Sequence, residues 1–254
     1  MGTYAVTGSA SGIGAAVVRK LQTLGHQVIT VDIRDADIVG DLATAAGRDA
    51  ALAAIRAAAA DGLDGLVPCA GVGPQVPDPT IIPRLNYFGT QVLVDGLKDL
   101  LAKKRGSVVL ISSNSAQMMP YDTEYVDALL NGDEAAANAK AAAQDGQTSY
   151  GGSKHALARW MRRNNADYAR AGIRMNAIAP GFTHTALTEA GMKDPRFKDA
   201  MNAFVGSIPV GFPGQPDDQA EAVAFLVSPQ ARFISGAVLF VDGGHDAMFR
   251  PDQF

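Results

Sequence analysis

The chain has a single cysteine, Cys69, so no disulfide can close within it. It has four histidines and no Cys/His cluster at ligand spacing, so a zinc site is not expected and no metal is assigned. Long apolar runs are missing too. None approaches the ~20 residues that a membrane-spanning helix needs, and no membrane partner is expected. The opening stretch MGTYAVTG has neither the charged nor the apolar region of a secretory leader. It does not suit N-myristoylation either, which asks for Ser or Thr where Val6 stands. A cytoplasmic location is the expectation. Positive charge is also scarce. Lys and Arg number 22 against 26 acids, a net charge of −4. The basic clusters are KKR at 103–105 and RR at 162–163, and both suit solvated helix ends or faces. A nucleic-acid binder would show a basic stripe, so none is expected as a partner.

What is there is apolar and regularly spaced. Hydrophobic residues make up 47% of the 254 positions, enough for one substantial core. Short β-branched runs alternate with longer stretches of helical period. Strands are expected at 3–8, 26–32, 37–42, 64–71, 106–113, 173–181 and 236–244, and helices at 14–25, 44–60, 83–104, 149–170 and 217–228. The strands are apolar throughout rather than alternating, as strands covered on both faces of a parallel sheet are. No linker and no repeat interrupts the rhythm. The expected fold is α/β: a single doubly wound domain over 1–254, with a mostly seven-stranded parallel sheet and helices on both faces. Two segments break the rhythm, 114–148 and 182–216. Excursions of that length are usually lids or binding loops. Surface decoration or an oligomer contact is the plain alternative.

TGSASGIG at 7–14 joins the first strand to the first helix. Gly8, Gly12 and Gly14 read G-x-x-x-G-x-G rather than the usual G-x-G-x-x-G, but the task is the same. Glycine permits the tight turn, lets a diphosphate approach the backbone, and lets helix pack on strand. The helix N-terminus then offers free N–H groups and a positive dipole end. Gly8, Ser11, Gly12, Ile13 and Gly14 are the expected cradle, with hydroxyl donors from Ser9 and Ser11. The second strand ends at Asp32, 18 residues beyond Gly14, where a carboxylate accepts hydrogen bonds from an adenine ribose. It would repel a 2′-phosphate, so NAD is expected rather than NADP; Arg34 nearby pulls the other way. Ile33 lies on the same rim. Asp41 and Leu42 sit where an adenine edge could lie. Ala70 and Gly71, in CAGVG, end the fourth strand with side chains too small to block a cofactor. Together these imply a Rossmann-type dinucleotide domain. A bare βα turn for the glycines and a helix cap for Asp32 are the alternatives.

TSYGGSKHALARW, at 148–160, sets Tyr150 and Lys154 one turn apart on a helix, with two glycines between them. Each glycine costs a helix about 1 kcal/mol relative to alanine. One explanation is a helix face left bare for something large. The other is an ordinary amphipathic helix with Lys154 in solvent.

In their order and placement, TGSASGIG, Asp32, CAG, Asn86 in LNYFG, ISS at 111–113, YGGSK, NAIAPG and DGG at 242–244 resemble the short-chain dehydrogenase/reductase family across nearly the whole chain. Within it, VDIRDAD, CAGVGPQ, NYFG, the long segment before Tyr150 and the tail MFRPDQF resemble the bacterial 3α-hydroxysteroid dehydrogenase/carbonyl reductase branch. The resemblance implies an NAD(H)-dependent enzyme that interconverts a secondary alcohol and a ketone. Tyr150 would donate and accept the proton. Lys154 would favour tyrosinate and bind the nicotinamide ribose. Ser113 would hydrogen-bond the substrate oxygen, and Asn86 would hold a water linking Lys154 to solvent. Gly151 and Gly152 would keep the helix surface bare for cofactor and substrate. Pro180 and Gly181 would turn the chain under the nicotinamide, and Thr183 or Thr185 would bind the carboxamide or diphosphate, with the spacing favouring Thr185. The implied substrate is a 3α-hydroxysteroid, a 3-ketosteroid or a related carbonyl compound. Met118, Met119, Met192, Met201, Phe197, Phe204 and Phe212 in the two excursions would suit an apolar ring, or equally a small satellite core. The rival readings are oxidation of another alcohol, diol or sugar, and a non-catalytic dinucleotide sensor.

One departure from the family stands out. Ser113 and Tyr150 are 37 positions apart, much further than in most of its members. Many of those pair the Tyr150 helix and the helix near 87–104 across a subunit interface. The extra piece, with DEAAANAKAAAQ at 133–144 expected to be helical, would cover that interface and leave a homodimer through another surface.

Overall fold

The computed structural model describes residues 1–118, 120–195 and 198–253. The apolar runs become β1 (Thr3–Thr7), β2 (Gln27–Asp32), β3 (Ile38–Val39), β4 (Gly65–Pro68), β5 (Ser107–Ile111), β6 (Arg174–Pro180) and β7 (Val238–Val241). All pair in parallel, in the order β3-β2-β1-β4-β5-β6-β7. β1, β4 and β5 are buried along most or all of their length, which is why they carry no polar alternation. Helices α1 (Gly12–Thr23) and α11 (Pro216–Val227) cover one face, where Val17, Leu21, Val223 and Leu226 meet Val6, Val67 and Val109. The other face is covered by α2 (Ala45–Ala58), α3 (Thr90–Gly96), α4 (Lys98–Lys104) and α8 (Gly146–Arg170), around Ile55, Leu93, Leu101, Leu157 and Met161.

The single helix expected at 83–104 is three pieces. Pro83–Gly89 is π-helical, α3 follows it, and α4 starts after a break at Leu97 (φ −109°, ψ 8°). Gly96 just before the break lets Leu52 of α2 come close; a Cβ there would lie 2.7 Å from Leu52 Cδ2. The last strand is shorter than 236–244 because Gly236, Gly243 and Gly244 all take positive φ. α8 begins three residues earlier than expected. Asp145 caps it by accepting the Thr148 N–H at 2.8 Å, and the site of a Cβ on Gly146 is taken by the Pro74 carbonyl.

The 114–148 excursion folds into three helices: α5 (Ser115–Met118), α6 (Thr123–Leu130) and α7 (Glu134–Ala142). α7 matches the expected helix and is capped by Asp133, which accepts the Ala136 N–H. α6 packs along α8, and α7 packs on the π-helical turn. Arg48 of α2, 5% exposed, closes a two-pronged ion pair with Glu134 at 2.8 and 3.2 Å and ties the excursion to the sheet side of the molecule. The second excursion carries α9 (Ala186–Lys193) and α10 (Lys198–Gly206); α12 (His245–Phe249) follows β7 near the end of the chain.

This packing corrects the reading of Gly152. Its bare face is filled by the protein itself. A Cβ there would lie 2.9 Å from Cδ1 and 3.0 Å from Cε1 of Tyr125, whose ring is fully buried. Gly→Ala inside a helix normally gains up to about 1 kcal/mol. Here the ring has nowhere to go, and overpacking of this kind costs about 1–3 kcal/mol. Gly152→Ala is therefore expected to lower stability in denaturant titration; a gain would mean that α6 yields easily.

Candidate functional site

The strand order reverses between β1 and β4, where ligands bind in open α/β sheets. The loop leaving β1 begins with Gly8 at φ +64°. A Cβ on Gly8 would lie 2.7 Å from the Ala70 nitrogen and 2.8 Å from the Cys69 carbonyl carbon, so the two loops touch through backbone alone. A Cβ on Gly14 would overlap the Gly8 carbonyl. Ser11 precedes α1 in an extended conformation, and its side chain makes no cap hydrogen bond, so the first-turn N–H groups of α1 face outward without a side-chain cap. A Cβ-free rim below an uncapped helix N-terminus fits a diphosphate. Ser9 is no part of it, since its hydroxyl donates to the Val31 carbonyl at 3.2 Å. Asp32 ends β2 and braces the loop. Its carboxylate accepts the Ala10 N–H at 3.0 Å and the Ile33 N–H at 2.7 Å.

The cleft that opens here measures about 350 Å³. It brings together Gly8, Ser11, Gly12, Ile13, Gly14, Asp32, Ile33, Leu42, Ala70, Gly71, Ser113, Tyr150, Lys154, Pro180, Gly181, Thr183 and Thr185. Two expected residues do not line it. Asp41 turns its carboxylate to the Ala43 N–H, at 2.9 Å. Asn86 is buried and clamps Val72, with Oδ1 accepting its N–H at 2.8 Å and Nδ2 donating to its carbonyl at 3.0 Å.

Ser112 and Ser113 follow β5 and part company. The Ser112 hydroxyl donates inward to the Lys154 carbonyl at 3.1 Å. Ser113 faces the cleft and accepts from the Ser115 N–H at 3.2 Å and the Ser115 hydroxyl at 2.8 Å, which leaves its own proton to donate. Burial raises the Tyr150 pKa, and a hydrogen bond with Ser113 opposes the rise. Lys154, 7% exposed, donates from Nζ to the Ile111 carbonyl at 2.8 Å, and Nζ lies 5.8 Å from the Tyr150 ring centroid. Burial pulls the ammonium down to about 8. Burial also pushes the nearby Cys69 thiol up to about 12, so it is no thiolate.

A second cavity, about 280 Å³, opens from the same Ser113 and Tyr150. Met118, Phe182, Leu187, Met201 and Phe204 make its apolar wall. Of the methionines and phenylalanines expected to hold an apolar ring, Met118, Met201 and Phe204 are therefore in place. Met192 and Phe212 do not line it, Phe212 being exposed in a neighbouring hollow that also reaches Phe182, and Met119 and Phe197 lie outside the described residues. Thr185 caps α9 and lies against the glycine turn, its Cγ2 3.4 Å from the place of a Cβ on Gly12. The sequence reading did not single out Gln75, Leu187 and Thr188. Gln75 donates to the Leu187 carbonyl at 2.9 Å, and the Thr188 hydroxyl donates to the Thr183 carbonyl at 2.7 Å. The Gln75–Leu187 pair spans 112 positions, and no local pattern announces it. Among the described residues no group of His, Cys, Asp and Glu could hold a metal, and no helix is long and apolar enough to cross a membrane.

A profile described as short chain dehydrogenase matches residues 3–125, and one described as Enoyl-(Acyl carrier protein) reductase matches 134–246. The chain is 41% identical over 259 aligned residues, the whole of both sequences, to a 3-alpha-hydroxysteroid dehydrogenase/carbonyl reductase of Comamonas testosteroni. It is 34% identical to a cis-4-hydroxycyclohexanecarboxylate dehydrogenase of Sinomonas cyclohexanicum, over 96% of each chain. It also superposes on the crystal structure of a 3-alpha-hydroxysteroid dehydrogenase from Pseudomonas sp. B-0831 in complex with NADH. The TM-score is 0.94 and the identity 43%, covering 99% of this chain and 100% of the other.

Lys154 is held near 8 by burial, so its charge is lost over an accessible range. A dinucleotide that takes a hydrogen bond from Nζ is expected to bind evenly below about pH 7 and progressively more weakly above about pH 8. Fluorescence titration with NADH checks this, with Lys154→Met flattening the profile. Affinity unchanged into the alkaline range would mean that Nζ does not touch the ligand.

Proposed function

The chain belongs to the short-chain dehydrogenase/reductase family, and on that premise we propose that it interconverts 3α-hydroxysteroids and 3-ketosteroids with NAD(H). It is an oxidoreductase acting on CH–OH donors with a nicotinamide dinucleotide. The observation that carries the proposal is the meeting of Ser113, Tyr150 and Lys154 at the wall between a glycine-rimmed cleft and an apolar cavity. A sensor would have no use for an acid–base group placed between two cavities. The Comamonas and Pseudomonas relatives are named for 3α-hydroxysteroids, and the cavity wall of Met118, Phe182, Leu187, Met201 and Phe204 suits an apolar ring of that kind.

In the proposed reaction the reduced nicotinamide, when bound, supplies the hydride to the carbonyl carbon. Ser113 donates a hydrogen bond to the carbonyl oxygen and holds it beside Tyr150. Tyr150 gives its hydroxyl proton to that oxygen as the negative charge develops there, and takes the proton back in the direction of oxidation. The charged Lys154, one turn along the same helix, favours the tyrosinate as the proton leaves, and it binds the nicotinamide ribose. Asn86 is given a positioning role, because its amide is committed to Val72 and so fixes the loop below Lys154. A relay water would have to share Oδ1 with the Val72 N–H. Gly8, Ser11, Gly12, Ile13 and Gly14 cradle the diphosphate, with Thr185 over it. Ala70, Pro180, Gly181 and Thr183 flank the nicotinamide half, and Asp32, Ile33 and Leu42 the adenosine half. Asp41 supports that end by bracing the turn after Leu42 through the Ala43 N–H.

NAD is chosen over NADP on Asp32. Its carboxylate lies at the adenosine rim, where it would repel a 2′-phosphate. Arg34 shares the rim but points into solvent, 74% exposed, with Asp35 at 4.0 Å offsetting its charge. One assay tests reaction and cofactor together: turnover of a 3α-hydroxysteroid with each dinucleotide, in wild type and Tyr150→Phe. A clear NAD preference in kcat/KM is expected, with a fall of about 10²–10⁴-fold in the mutant, the usual scale of proton-transfer catalysis. Equal efficiency with NADP would overturn the role of Asp32. Near-normal turnover by the mutant would overturn the mechanism.

The assembly we propose is a cytoplasmic homodimer. One unpaired cysteine suits a reducing compartment. α6 lies over α8, one of the two helices that the family's usual subunit contact would need, and α7 packs on the π-helical turn that leads into the other. The β7 edge is open instead, with Leu239, Phe212, Phe225 and Phe233 exposed around it. Light scattering should give twice the chain mass of 26.4 kDa. A tetramer would overturn the idea that the excursion blocks the helix contact.

A further inference from the structure

The turn DGGH, Asp242–His245, lines neither the cofactor cleft nor the apolar cavity in a way that the reaction uses, yet it holds a fully buried histidine. The reason lies in α10. This helix supplies Ala200, Met201 and Phe204 to the wall of the apolar cavity, but none of its described residues is buried. Packing along its length is limited to half-buried contacts with α9, such as Met201 Sδ 2.7 Å from the place of a Cβ on Gly191. The chain leaving it is fastened to the turn. Ile208 is buried, and Ile208 Cγ2 and Val210 Cγ2 lie 2.7 and 2.8 Å from the place of a Cβ on Gly243. The Val210 N–H donates to the Gly243 carbonyl at 3.2 Å.

His245 completes the fastening. Its Nε2 is 2.8 Å from the Ser207 hydroxyl oxygen, and that hydroxyl donates to the Phe204 carbonyl at 2.9 Å. The serine oxygen is thus the acceptor and Nε2–H the donor. The imidazole also lies against Phe204 at 4.2 Å between centroids and against Phe249 at 5.4 Å. Among the described residues its other nitrogen, Nδ1, is buried with no hydrogen-bond partner. A phenylalanine would make the same ring contacts and strand no polar atom. The one thing the imidazole adds is the bond to Ser207, kept despite an orphaned nitrogen. Burial lowers the His245 pKa, so the ring is neutral with one N–H to give.

We infer that His245 is a positioning residue for substrate recognition: it pins the C-terminal end of α10 through Ser207, and so sets the apolar cavity wall that Phe204 and Met201 present. It touches neither substrate nor cofactor. The inference rests on the proposed reading only in taking that cavity as the place where the substrate lies.

Three variants separate the pin from plain structural support. His245→Phe keeps the ring contacts and removes the bond. His245→Gln keeps an N–H donor of similar reach. Ser207→Ala removes the acceptor, and carries the test if His245→Phe fails to accumulate. For His245→Phe the expected result is an equal or higher Tm, unchanged NADH affinity, and a KM for a 3α-hydroxysteroid raised about tenfold, the order of one hydrogen bond. Amide exchange in 198–206 should quicken, and His245→Gln should recover most of the KM. Unchanged KM, with or without quicker exchange, overturns the inference. So does a joint loss of Tm, kcat and NADH affinity, which would mark a merely structural residue. Exchange is read without substrate. A wild type that ignores steroids would sink the substrate reading, and exchange alone would then decide whether the pin exists.

Discussion

Everything functional in this molecule depends on one close approach, where the loops leaving β1 and β4 meet. The strand order runs outward in both directions from that seam, so the loops above it turn apart and leave a crevice. The crevice is usable only if the seam below it is thin. At Gly8 the backbone comes so near to Cys69 and Ala70 that no side chain fits between them. Asp32 holds the same turn from the other side through the Ala10 amide. A diphosphate can then be gripped by main-chain groups whose positions are fixed by the sheet rather than by flexible side chains.

The second constraint is electrostatic. Lys154 is nine-tenths buried next to a neutral thiol, a tyrosine and a carbonyl, with no carboxylate hydrogen-bonded to it among the described residues. A charge placed so is costly, and the fold carries it with one hydrogen bond to Ile111. The arrangement makes sense when an anionic or electron-rich partner shares the space, whether a tyrosinate or a ribose hydroxyl. A group that accepts a hydrogen bond from Nζ would offset part of that cost.

Much of this was legible in the sequence, because the relevant patterns are local. The glycine turn, Asp32 at a strand end, and Tyr150 with Lys154 one turn on are all set by neighbours within about a turn or a strand. The seven apolar runs likewise announced a buried parallel sheet. What stayed hidden depends on partners far along the chain. Gly152 looked like a space kept for a cofactor, but Tyr125, which has no sequence link to it, fills the space. The motif picks Ser113 over Ser112, but the Lys154 carbonyl that turns Ser112 inward lies 42 positions away. Gly96, just before the break at Leu97, is approached closely by Leu52 of another helix. His245 meets Ser207 across 38 positions. Met192 and Phe212 had the right chemistry, and the fold turned them elsewhere.

Arg48 bears on how such a chain can have come about. Its guanidinium sits in the sheet-side scaffold, yet its partner Glu134 belongs to the excursion. Removing Glu134 would leave the buried guanidinium with the Arg84 carbonyl, at 3.3 Å, as its remaining partner, a destabilising change. The excursion is therefore not a detachable ornament. A change that discards it would be expected to go with a change at position 48. Among kindred sequences, a short form should carry an uncharged residue where this chain has Arg48.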